Sequence, residues 1–84
     1  MIIPRKLYRS GEITKHTGIS RQTIHYYTQL GLIKEAERTR SGQRLFDENV
    51  FHVIARIREY QNQEMTLLEI REKLRNDPQL KFIF

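Results

Sequence analysis

Four segments with a helical repeat of apolar residues, each opened by Ser, Asp or Thr, predict a mainly α-helical fold of four helices. A break in that repeat over residues 34–46, around Ser41-Gly42, adds one small β-hairpin. The chain has 84 residues, so residues 1–84 are expected to form a single domain with a modest core.

The elements follow in order. Met1 to Arg9 is a basic lead-in, expected to be extended. Ser10 is the expected N-cap of a first short helix, with Glu12 favoured in its first turn by the helix dipole and Ile13 as its apolar contact. Gly18 ends it, because glycine takes the left-handed cap conformation without steric cost. Ile19 then drops into the core. Ser20 caps the second helix. Ile24, Tyr27 and Leu30 line its inner face, and Arg21, Gln22, His25, Tyr26 and Gln29 line the outer one. A helix turns about 100° per residue, so adjacent tyrosines cannot both face the core. Tyr27 is expected inside and Tyr26 outside. Gly31 closes this helix, and Leu32-Ile33 return to the core.

Residues 34–46 carry Arg38, Arg40 and Arg44 around the Ser41-Gly42 turn, with Leu45 and Phe46 as anchors. That is a hairpin with a basic tip. Asp47 is the expected cap of the third helix, where Val50, Val53, Ile54 and Ile57 make the clearest amphipathic pattern, running to Asn62. Thr66-Leu67-Leu68-Glu69 is a capping box for the fourth helix, with Leu67, Ile70 and Leu74 inward. Asn76-Asp77-Pro78 ends it. The apolar tail Phe82-Ile83-Phe84 completes the core, meets a partner, or marks a chain cut from something longer.

Composition narrows the function. Net charge is +5 and the pI is about 9.9. Residues 1–46 hold nine Lys/Arg against three Glu, a net +6, while residues 47–84 hold six against seven, a net −1. The basic half carries the tyrosine pair and the hairpin, which points to a polyanion. Without Cys there is neither a disulfide framework nor a thiolate metal site. No apolar run is long enough to span a bilayer and no secretory signal opens the chain, so a cytoplasmic protein without membrane contact is expected. His16, His25 and His52 lack ligand spacing and a nucleophile to serve, and no Gly-rich phosphate loop is present. No enzyme, metal or cofactor is expected.

Helix, Gly-containing turn, capped second helix with a polar outer face and then a basic hairpin make a winged helix-turn-helix. In that motif the second helix enters the major groove of double-stranded DNA. Arg21 and Gln22 suit bidentate pairing with guanine and adenine, and His25 lies one turn on. A tyrosine hydroxyl at Tyr26 and guanidiniums at Arg38, Arg40 and Arg44 suit phosphate. A solvated helix face and an exposed basic loop are the plainer readings of the same residues. A protein-interaction module is the main rival, though a docking face should be more apolar. RNA binding finds little support, since only Tyr8 and Tyr26 offer exposed stacking rings.

The segments Ile19-Ser20, Thr23-Ile24-x-Tyr26-Tyr27, Leu30-Gly31-Leu32-Ile33, Arg38…Gly42-x-Arg44-x-Phe46-Asp47 and Met65-Thr66-Leu67-x-Glu69-Ile70 carry a resemblance across about residues 8–75. The chain resembles the N-terminal winged-helix domain of MerR-family transcription regulators. The resemblance implies a second wing at residues 62–65, and dimers on inverted repeats that untwist promoter DNA for RNA polymerase. It implies DNA contacts at Ser20, Arg21, Gln22, His25 and Tyr26, at Arg38, Gln43 and Arg44 in the wing, and near Arg58 and Gln61. The chain departs from the family pattern at His25, Thr28, Gln43, Phe46 and Gln61, and losing basic groups there weakens phosphate contact. No heptad run follows Asn76, and there is no Cys to sense a metal or oxidant. A DNA-binding fragment of a larger regulator, a small stand-alone regulator and an excisionase-like architectural DNA binder all fit; a homodimer through the tail is an option for the latter two.

Overall fold

The computed structural model describes residues 6–78 and 80. The element order is β1 (Tyr8–Arg9), α1 (Ser10–Thr17), α2 (Arg21–Gln29), β2 (Glu37–Arg38), β3 (Arg44–Phe46), α3 (Asn49–Asn62) and α4 (Leu67–Asn76). The expected mainly α-helical fold, with four helices and a hairpin, is what forms. The hairpin gains a partner. The lead-in is extended and supplies β1, so the antiparallel sheet has three strands in the order β1-β3-β2. Tyr8 pairs with Phe46 and Arg9 with Leu45; on the other side Glu37 pairs with Leu45 and Arg38 with Arg44.

Two helix starts differ from expectation. Ser10 is already helical, and Arg9 is the N-cap of α1. Its backbone N–H donates to Glu12 Oε1 at 3.0 Å, so the carboxylate three residues on does the capping. Helix α3 begins at Asn49, after an N-cap at Glu48. Asp47 still accepts from the Asn49 N–H at 2.9 Å through Oδ1. The shifts run in opposite directions: α1 follows β1 without a gap and starts one residue early, while Asp47 and Glu48 separate β3 from α3, which starts one residue late. The other two caps form as expected. Ser20 Oγ accepts from the Thr23 N–H at 3.1 Å. Thr66 and Glu69 close the reciprocal capping box at 3.0 and 3.2 Å.

Gly18 sits at φ +78°, and its N–H donates to the Thr14 carbonyl at 2.8 Å. Gly42 sits at φ +87° in the wing turn, where the Thr39 carbonyl accepts from its N–H at 2.9 Å. Both positions need left-handed backbone, which side chains with a Cβ disfavour.

The core joins all four helices to the sheet. Ile13, Ile24, Leu32, Phe46, Ile57 and Ile70 are each at most 1% exposed. Tyr27 is 6% exposed and Tyr26 is 49% exposed, so the tyrosine pair divides as the helical period requires. Ile19 and Leu67 are only partly buried and pack against the rim of the core. Of the apolar tail, Leu80 is buried; Phe82, Ile83 and Phe84 lie outside the described residues. No helix among the described residues is long and apolar enough to cross a membrane.

Candidate nucleic-acid interface

Helix α2 projects its polar face outward because Ile24 and Tyr27 take the inward positions. Gln22, Thr23, His25, Tyr26 and Gln29 line one shallow groove of about 410 Å³ along that face. The sequence-predicted Gln22, His25 and Tyr26 are therefore brought together, and Thr23 and Gln29 join them. The latter two were not among the predicted site residues; Gln29, seven residues on from Gln22, shares its helical face, while Thr23, about 100° round from Gln22, borders it. Ser20 stays with its capping role, donating to Thr23 Oγ1 at 2.9 Å.

Arg21 goes elsewhere. Its guanidinium lies back over α1, where a Cβ at Gly11 would stand 2.5 Å from Arg21 Nη2. There it lines a cleft of about 490 Å³ with Arg9, Gly11, Gln43 and Arg44. The cleft thus collects three arginines from β1, α2 and the wing. Arg9 is an addition that sequence reasoning missed, since only pairing of β1 with β3 carries it there.

The wing arginines are not alike. Arg40 and Gln43 are exposed in and beside the turn. Arg38 Nε donates to Glu35 Oε1 at 2.7 Å, and Arg44 Nε stands 3.1 Å from Glu35 Oε2. The Arg38 hydrogen bond, with the charge of both guanidiniums, holds the Glu35 carboxyl below the usual glutamate range despite some desolvation. Glu35 was not anticipated as a member of the site. Its three-residue spacing from Arg38 is a local signal; its approach to Arg44 is set by the strands.

Arg58 and Gln61 serve the scaffold. The Arg58 guanidinium donates to the Thr17 carbonyl at the C-terminal end of α1, where a cation is favoured. Gln61 Nε2 donates to the Tyr27 hydroxyl at 3.3 Å, which ties α3 to the inner face of α2. Thr28, another departure from the family pattern, donates to the Ile24 carbonyl at 2.8 Å. The loop before α4 turns at Glu64, the one non-glycine residue at positive φ among the described residues, at +61°.

Residues 8–77 match the model of the MerR HTH family regulatory proteins. The chain belongs to the MerR family. Among its MerR-like relatives, the mercuric resistance operon regulatory protein of Bacillus cereus is 37% identical over 67 residues, 80% of this chain and 51% of that one. The nodulation protein NolA of Bradyrhizobium diazoefficiens is 33% identical over 70 residues, 83% of this chain and 30% of that one. The solved structure of MtaN, the N-terminus of the Bacillus subtilis multidrug transporter activator, superposes with a TM-score of 0.74 at 25% identity. It covers 80% of this chain and 63% of that one. The chain thus spans about a third to a half of the curated relatives' length. Within the MerR family these matches fall on the winged-helix DNA-binding part, and they support sequence-specific DNA binding in transcription regulation.

Proposed function

We propose that this chain reads duplex DNA with α2 in the major groove and the wing on the flanking backbone, as part of a cytoplasmic, non-enzymatic transcription regulator. The observation that carries this reading is the exposed polar groove of Gln22, Thr23, His25, Tyr26 and Gln29 on one face of α2. Amide and imidazole groups there can address base edges, and the Tyr26 hydroxyl can reach a phosphate. Arg21, drawn into the cleft with Arg9 and Arg44, takes a phosphate rather than a base. Arg38, Arg40, Gln43 and Arg44 hold the strand beyond it. Arg58 and Gln61 act through the helices they brace. Two copies on an inverted repeat, working with RNA polymerase at a promoter, is the assembly that family membership favours.

The test is selection of bound duplexes from a random pool at moderate salt, followed by sequencing. An enriched motif supports the reading, and an inverted repeat supports the paired assembly. A single site or direct repeats overturn the inverted-repeat assembly alone. No enrichment overturns the DNA reading and leaves protein docking.

A further inference from the structure

Arg38 and Arg44 are register partners on β2 and β3. Two like charges directly opposite on a sheet repel. Glu35 resolves that conflict, one carboxylate oxygen for each guanidinium, at 2.7 and 3.1 Å. The contact with Arg44 is shielded: Glu35 Oε2 and Arg44 Nε both lie out of reach of water. Arg44 also lines the three-arginine cleft, so the Glu35 carboxylate is in contact with one of the cations that the cleft offers to the backbone.

We propose that Glu35 is a charge-limiting and positioning residue for the wing, orienting Arg38 and Arg44 while cancelling one of their two charges toward DNA. This rests on the DNA-binding reading above. A guanidinium has five N–H donors, so each arginine can keep its Glu35 contact through Nε and offer its terminal nitrogens to phosphate. The carboxylate then stays beneath the bound strand, where it repels phosphate oxygens and lowers affinity. Phosphates carry no sequence information, so the effect is the same on every duplex. The charge tunes affinity and salt sensitivity and leaves base preference alone.

The experiment compares the wild-type chain with Glu35→Gln and Glu35→Asp. Each is titrated with a fluorescently labelled random-sequence duplex and with the selected duplex across a range of salt. Gln keeps an acceptor oxygen and loses the charge; Asp keeps the charge. For Glu35→Gln we expect both duplexes to bind about threefold more tightly near 0.1 M salt, the scale of one exposed charge several ångströms away. The slope of log affinity against log salt should steepen by roughly 0.9, one further counterion released. Glu35→Asp should retain the wild-type slope. Adding Arg38→Gln and Arg44→Gln should abolish the gain from Glu35→Gln. Unchanged or weaker binding by Glu35→Gln at an unchanged slope overturns the proposal, as does a gain that survives loss of both arginines. If the wild-type chain binds no duplex at any salt, the DNA-binding reading itself falls, and this inference with it.

Discussion

At the scale of single residues, charge and exposure do not by themselves mark a DNA contact. Arg58 and Arg40 are both exposed arginines, yet Arg58 is bonded to the Thr17 carbonyl and Arg40 lies in the wing turn. Arg58→Ala should lower the unfolding temperature and leave the salt slope of DNA binding unchanged. Arg40→Ala should do the reverse, weakening all duplexes alike and flattening the slope by about one unit, as read from salt titrations. Gln22→Ala should cost about 1–3 kcal/mol at one base pair of the preferred site and nothing on random duplex, as read by competition binding. Three members of the α2 groove, Gln22, His25 and Tyr26, were legible in the sequence because they lie within one turn of one another on the outward side of the helix. The scaffold bonds of Gln61 and Arg58 were not legible, because their partners lie 34 and 41 residues away. Helical spacing says which face a side chain is on, and says nothing of which helix will come to meet it.

At the scale of elements, the carboxylate caps link local sequence to stability. Glu12 and Glu69 are held below the usual glutamate value of 4.5, each first by a hydrogen bond from the backbone N–H of the residue it caps. Glu35 is lowered in the same direction, first by Arg38. A carboxyl whose folded value is depressed contributes its full stability above the ordinary value and loses it as pH falls through the folded one. Thermal unfolding should therefore hold steady above pH 4.5 and decline below it. Thr66→Ala should cost about 1 kcal/mol in chemical denaturation, because the Glu69 N–H loses its acceptor at the start of α4. The T-x-x-E box was plain in the sequence since both partners lie within one turn. The first strand was legible only as extended chain. Two residues have no alternation to read, and Tyr8–Arg9 becomes a strand only by pairing with β3.

At the scale of the whole molecule, Phe46 is the point where the wing, the lead-in and the helices meet. It is fully buried, pairs with Tyr8 in the sheet and immediately precedes the turn into α3. Phe46→Ala should destabilise the chain by about 3–5 kcal/mol in chemical denaturation, the cost of an unfilled aromatic site in a small core. Beyond α4, Asp77 is 7% exposed, paired with Arg56 at 2.9 Å and hydrogen-bonded by the Tyr60 hydroxyl at 3.2 Å. Burial, with the neighbouring Asp77 carboxylate, pushes the Tyr60 phenol up. By itself the sequence determined four helices, their inner faces, the ends read at Gly18, Gly31 and Pro78, the N-caps at Ser20 and Thr66, and the basic polar surface of the first half. Each of those depends on residues within a turn or two of one another. Only the tertiary structure decided that Arg21 leaves the α2 groove for the cleft, that Arg58 and Gln61 brace helices, and that Glu35 stands behind the wing. Those outcomes depend on which oppositely charged or hydrogen-bonding group is nearest in space, and distance in space is set by packing.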